Sequence, residues 1–199
     1  MKNAKAKKMA KIKEIAEIFL SPACEEDIYG EIKLLKRSSI ENGRIVDEKL
    51  KNCSLRRDVD QSKFLKKGDI VFQAKGMTDQ YAVLINKDYD NLVSHRMFFN
   101  IRLTSNNILP EYLEILLNSK EAAEYFEDNS KGRVIRIVTN KTLGDFEIPL
   151  LEIEKQIVIA NMFKKYREEE KATLRYLKLK NNLINKIVSM IIGGEEDAR

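Results

Sequence analysis

The sequence predicts an α+β protein: a compact, mixed-sheet, barrel-like domain followed by a long C-terminal coiled-coil helix. Three observations carry this. Short apolar runs separated by Gly, Pro and Asn turn signals fill most of the first 150 residues. Two helical patterns come late in that region, the first opened by Pro110. From Ile153 to Ile192 the chain has neither Pro nor Gly, which reads as one helix about 60 Å long at 1.5 Å per residue.

In chain order, residues 1–11 read as a basic flexible arm. Ile12, Ile15, Ile18 and Phe19 fit a short helix or a strand that ends at Ser21-Pro22. Residues 28–36 read as a strand, and Asn42-Gly43 as a turn. The turn Lys66-Lys67-Gly68-Asp69 feeds a buried strand at Ile70–Phe72; His95 and Asp69 read as turn residues rather than catalytic groups. Lys75-Gly76 leads to a strand at Tyr81–Ile85, and Met97–Leu103 is another. Pro110 opens a helix, where its missing N–H costs little, and Tyr112, Leu113, Leu116 and Leu117 give that helix one apolar face. A second helix covers 120–126. Strands at Arg133–Val138 and Phe146–Leu150 close the domain. The expected boundaries are 1–11 for the arm, 12–150 for the domain, 151–192 for the helix and 193–199 for a flexible tail.

The long helix has two apolar seams. Leu174, Leu177, Asn181, Ile184, Val188 and Ile191 step by three and four, as at a coiled-coil interface with a register-fixing Asn. Tyr176, Leu183, Ile187 and Met190 form the second. The turns near Ile157–Phe163 are expected to pack on the domain's own core, and the distal turns on a partner helix.

Composition narrows the function classes. The chain has 199 residues, 34% of them charged, and a net charge of +5. Six lysines within residues 1–13 account for that excess; without them 30 basic residues face 31 acidic ones. Any basic surface must therefore come from placement of charge. One His and two Cys without CxxC spacing leave no metal set. Cys24 and Cys53 read as free thiols in a reducing compartment, a disulfide being the alternative. No apolar run reaches transmembrane length and the start lacks signal-peptide character, so a cytoplasmic protein is expected. No methyl-donor loop, P-loop or acid–base constellation is found, so no enzyme is expected.

Several short segments, in order, resemble type I restriction–modification specificity (S) subunits. Ile12–Ile18 is similar to that family's opening segment. Leu65-Lys66-Lys67-Gly68-Asp69-Ile70-Val71-Phe72 resembles its L-x-x-G-D-I signature, with Lys75-Gly76 following. Phe99-Asn100-Ile101-Arg102-Leu103 resembles the central strand, and Leu109-Pro110-Glu111-Tyr112-Leu113 through Leu117-Asn118-Ser119 the P-x-Y-L helix. Arg136-Ile137, Leu143–Leu150 and Ile153-Glu154-Lys155-Gln156 resemble the entry to the conserved helix and its L-E-E-Q start. Leu151-Glu152 replaces the family's Pro-Pro. The chain looks like half a subunit, with one target-recognition domain and one conserved-region helix.

The resemblance implies a non-catalytic subunit that gives DNA sequence specificity to methyltransferase (M) and nuclease (R) subunits. S-adenosylmethionine is then expected on the M partner and no cofactor on this chain. Candidate contacts to double-stranded DNA are Arg37, Arg56, Arg57, Lys75, Gly76, Arg96, Arg133 and Arg136, with Lys131 and Lys141 on phosphates. With one recognition domain, the simplest assembly is a homodimer through the C-terminal helix, reading a palindromic interrupted site. Pairing with another S-type chain is the alternative. A protein-interaction adaptor or inhibitor of S-subunit architecture, binding partner subunits without reading DNA, is the runner-up.

Overall fold

The computed structural model describes residues 8–55, 60–76, 82–132 and 137–193. Among these the elements run β1 (Met9–Lys11), α1 (Ile12–Ile15), β2 (Ala16–Phe19), β3 (Cys24–Glu26), β4 (Ile32–Leu35), β5 (Ile40–Glu41) and β6 (Arg44–Ile45). Then come β7 (Lys51–Leu55), β8 (Ile70–Gln73), β9 (Ala82–Leu84), β10 (Leu92–Ser94) and β11 (Phe98–Leu103). The chain finishes with α2 (Pro110–Leu117), α3 (Lys120–Asn129), α4 (Asn140–Asp145), β12 (Glu147–Pro149) and α5 (Ile153–Gly193). It divides into two units, Met1–Ile157 and Val158–Arg199.

The first unit holds two four-stranded sheets, ordered β2-β11-β8-β9 and β10-β4-β7-β3. Period-two alternation explains how they share a core. Leu35, Val71, Val83, Leu92 and Phe98 gather between the sheets, with Ile40, Leu65 and Ile85. Their neighbours Leu34 and Val93 turn the other way and join Cys53 and Phe64 in a second cluster. On the helical side, Phe72 of β8 meets Phe126 of α3 at 4.8 Å between ring centroids, and Phe126 meets Phe146 at 5.2 Å.

Neither sheet closes on itself, so the barrel-like closure expected from sequence is not formed. The outer edge of β9 is satisfied by a side chain of α2 and by that of its C-cap, Asn118. Asn118 accepts from Ala82 N at 3.0 Å and donates to Ala82 O at 2.8 Å, and Glu114 accepts from Leu84 N at 3.1 Å. An i,i+4 pair thus does for this edge what another strand does in a barrel.

One ion pair ties the loops to the first sheet. Asp69, 2% exposed, takes a bidentate grip from Arg102 of β11: Nε to Oδ1 at 2.8 Å and Nη2 to Oδ2 at 2.6 Å. The same guanidinium donates to Ser62 O at 2.6 Å and Phe64 O at 2.7 Å, and lies 4.9 Å from the centre of the Phe19 ring. Asp69 Oδ2 also accepts from Lys66 N at 2.8 Å, closing the turn in which Gly68 takes φ +93°. The expected role of Asp69 as a turn cap is correct, but the ion pair is the larger part of what it does.

Several elements depart from the sequence reading. Only Ile32–Leu35 of residues 28–36 is strand. Asp27 accepts from Tyr29 N at 3.0 Å and from Ser54 Oγ at 2.5 Å, and holds the preceding residues in a turn. Gly30 there lies against β7 so closely that an added Cβ sits 2.2 Å from Cys53 O. Met9–Lys11, read as arm, pairs antiparallel with β12. The helix α4, capped by Thr139 accepting from Thr142 N at 3.0 Å, occupies a segment to which the sequence reading assigns no element. The expected strand over Arg133–Val138 lies largely outside the described residues; Ile137 makes isolated bridges to Lys75 and Lys131.

The final helix begins on a buried polar anchor. Gln156, fully buried, accepts from Leu109 N at 2.9 Å and donates to Asn107 O at 2.9 Å and Leu151 O at 2.8 Å. No described helix is long and apolar enough to cross a membrane.

Replacing Arg102 by Met leaves the Asp69 carboxylate buried without its cation. We expect a loss of about 3 kcal/mol in urea unfolding, and a smaller loss when Asp69→Leu is added, because the orphaned charge is what costs most. An equal or larger loss in the double variant overturns this assignment.

Candidate functional site

Three strands of the first unit end together. β4 and β10 run parallel, with Leu35 beside Ser94, so both chains leave the sheet on one side. Lys36 and Arg37 follow β4; His95 and Arg96 follow β10. The two exits are joined by His95 N donating to Leu35 O at 2.9 Å. β8 brings the third: Ala74 N donates to Met97 O at 2.9 Å, which sets Lys75 next to the 95–97 turn. Val138 N donates to Ala74 O at 2.9 Å, and Lys131 exchanges backbone bonds of 2.9 and 2.8 Å with Ile137. The result is a cluster of Lys36, Arg37, Lys75, Arg96 and Lys131 around His95.

The local chemistry leaves four of these five charges open to solvent. Arg37, Lys75, Arg96 and Lys131 are exposed. Arg37 Nη1 donates to Ile40 O at 3.0 Å, which fixes its stem and leaves its other donors. Lys36 is paired with Glu26 at 2.5 Å. A small cleft beside the cluster is lined by Arg37, Asn42, Gly43 and Gln73 together with Ile40, Val83 and Phe98. Asn42 and Gly43 both take positive φ there, as the expected turn requires. Gln73 Nε2 donates to Lys75 O at 2.8 Å, and Gly76 takes φ +94°, a conformation that side chains rarely adopt.

The structure therefore brings together Arg37, Lys75, Gly76, Arg96 and Lys131 from the sequence-derived set. Arg56, Arg57, Arg133 and Arg136 lie outside the described residues. Lys141 sits in the first turn of α4, where its charge acts on Asp145; among the described residues no contact links it to the cluster. Sequence reasoning missed Lys36 and His95. Lys36 adjoins Arg37, and that adjacency was the available signal. His95 gave none, because its surroundings are made by β3, β4 and β8.

Among the described residues no group of three or more His, Cys, Asp or Glu could hold a metal ion. Cys24 and Cys53 are free thiols, and burial pushes the Cys53 thiol well above its ordinary value, so it is a poor nucleophile.

On α5, Leu174, Leu177, Ile184, Val188 and Ile191 are 46–63% exposed, and Tyr176, Leu183, Ile187 and Met190 are 47–75% exposed; Asn181 is exposed too. Ile157, Val158, Met162 and Phe163, expected to pack on the domain core, are exposed as well.

No family model matches the chain. It is 31% identical over 98 residues to the type I restriction enzyme HindI specificity subunit of Haemophilus influenzae, covering 47% of this chain and 21% of that protein. It is 27% identical over 143 residues to the MjaIX specificity subunit of Methanocaldococcus jannaschii, covering 72% and 29%. Among solved structures, the S subunit of a type I restriction–modification system from M. genitalium superposes with a TM-score of 0.62 at 17% identity, over 99% of this chain and 48% of that one. The HsdS subunit of Thermoanaerobacter tengcongensis gives 0.61 at 18%, over 92% and 47%. A chain from a study of assembly and conformational transition of the type I system gives 0.66 at 11%, over 90% and 43%. The chain spans about half the length of these solved chains and less than a third of the two sequence relatives.

His95 is the only histidine of the sequence, so its ring can be followed without assignment. Burial first, then Lys36 and Arg96, hold its pKa below the usual 6.5. The folded state thus binds this proton less readily than the unfolded chain. Its contribution to stability is complete above about pH 6.5 and is lost as pH falls through the lower folded value. An NMR titration with a midpoint under 6.5 is expected; a midpoint at or above it refutes the described environment.

Proposed function

We propose that this chain, a half-length relative of the type I restriction–modification specificity subunits, supplies DNA sequence specificity to such an assembly and does no chemistry itself. The observation that carries the reading is the convergence of four basic side chains at three strand ends, with Lys131 brought beside them through Ile137, in a chain whose folded body has no net basic excess. Placement, not composition, makes this surface cationic. Lysines and arginines at that edge neutralise phosphates, and an arginine there can grip guanine in two places. Rigid strands position them, as a reading surface requires.

In this reading, residues 12–150 form the target-recognition domain and residues 151–192 the conserved-region helix, flanked by a basic arm and a short tail. The exposed seams of α5 pair with a second polypeptide, most simply a second copy of this chain. An antiparallel pair of α5 helices gives two recognition domains related by a two-fold axis and a palindromic, interrupted site. M and R subunits are the further partners, and S-adenosylmethionine belongs to the M subunit. The protein acts in the cytoplasm.

Binding to mixed duplexes is expected to weaken steeply with salt, with each phosphate contact adding about −0.9 to the log–log slope. Lys75→Ala is expected to lower affinity for all sequences and to reduce the slope by about one. A slope near zero identifies an adaptor instead.

For the helix, a solution mass of two chains at micromolar concentration is expected, falling to one chain when Leu177 and Ile184 are both replaced by Glu. A one-chain mass for the unaltered protein overturns the homodimer.

A further inference from the structure

We propose that His95 contacts DNA as a neutral hydrogen-bond donor, through Nε2, from the centre of the strand-end cluster. The inference rests on the DNA-binding reading above and adds a base-reading residue to it.

The ring is held by its own turn. His95 N donates to Leu35 O at 2.9 Å, His95 O accepts from Phe98 N at 3.0 Å, and Nδ1 accepts from Met97 N at 3.4 Å. A ring nitrogen that accepts carries no proton, so in the neutral ring the proton sits on Nε2. That donor has no hydrogen-bond partner among the described residues, and the side chain is part-exposed. The turn thus uses one nitrogen and leaves the other to a ligand.

The surrounding charges decide which form the ring takes. Lys36 at the end of β4, Arg96 in the same turn and Lys75 beyond β8 all oppose a second proton; Glu26 of β3 favours it, but is paired with Lys36. A second proton also forfeits the bond from Met97 N. Among five cations suited to phosphates, His95 is the donor without charge. Its chemistry fits an acceptor on a base edge in the major groove, such as purine N7, guanine O6 or thymine O4.

Two substitutions separate contact from turn. His95→Asn places a carbonyl where Nδ1 stands and keeps the acceptor for Met97 N, but does not reach as far as Nε2. His95→Gln places an amide nitrogen near Nε2 and gives up the acceptor. The full chain and both variants are used to select sites from a randomised duplex library at about pH 7.5. Affinity for the unaltered protein's consensus and for the unselected library is then measured across salt.

The unaltered chain is expected to yield a consensus. His95→Asn should melt like the parent, lose preference at one base position and bind the parental consensus about three- to tenfold more weakly. Its affinity for the unselected library and its salt slope should not change. His95→Gln should retain the preference even where it melts lower. The proposal fails if His95→Asn keeps the parental consensus and affinity, or if Gln is worse than Asn in both melting and base preference, the signature of a structural role. It also fails if the slope falls with the substitution, since the contact is then a charged one to phosphate. No consensus from the unaltered chain removes the DNA-reading function itself, an outcome distinct from the other three.

Discussion

The grip of Arg102 on Asp69 is the constraint from which the rest of the first unit follows. Asp69 closes the turn that launches β8, and Arg102 lies on β11, which is β8's neighbour. Fixing one against the other sets the register in which Phe72 lies opposite Phe99 and Gln73 opposite Phe98. That register decides where β8 stops, and hence that Ala74 meets Met97 and Lys75 arrives beside His95. Burying two charges costs several kcal/mol per ion in desolvation unless their hydrogen bonds are filled. Here the guanidinium fills four acceptors and covers an aromatic face. A residue pair far from the cluster thus positions it.

What was legible in the sequence was local. The Lys-Lys-Gly-Asp turn, the Asn-Gly hairpin, Pro at the first turn of α2 and the uninterrupted run of α5 each depend on residues within a few positions. Their chemistry is backbone conformation and helix propensity, which a linear reading can weigh. The parallel pairing of β4 with β10 was not legible, because strands of four and three residues leave no periodicity to measure and lie about sixty residues apart. The strand β1 was hidden by the run of lysines in which it lies, Lys8 and Lys11 among them, which reads as a solvated arm. The barrel expectation failed for a similar reason. Nothing local in Glu114 or Asn118 announces that an i,i+4 pair will satisfy the edge of β9.

The site divides along the same line. Arg37, Lys75 and Arg96 could be named from turns and strand ends, but their gathering could not, since it comes from three exits converging. His95 was passed over as a turn residue. That description is correct, and it is also how a turn can leave one ring nitrogen free.

The second unit poses the opposite problem: a simple element with too much apolar surface. An isolated helix in water is marginal even when its residues favour the conformation, and most helices owe their stability to burying one face. Between Leu174 and Ile191 nine apolar side chains on two seams are about half exposed or more. Asn181 on the first seam reinforces the argument, because a polar residue at such a position weakens a helix pair yet specifies how it aligns. Gln156 anchors the other end of the helix: two of its three backbone bonds fix the first turn to the residues that lead into α2, and the third holds Leu151 just ahead of α5. In the reading proposed above, a helix anchored at its start and apolar along its length has the surface that a second α5 would cover and, in Asn181, the polar position that would fix the register of that pair.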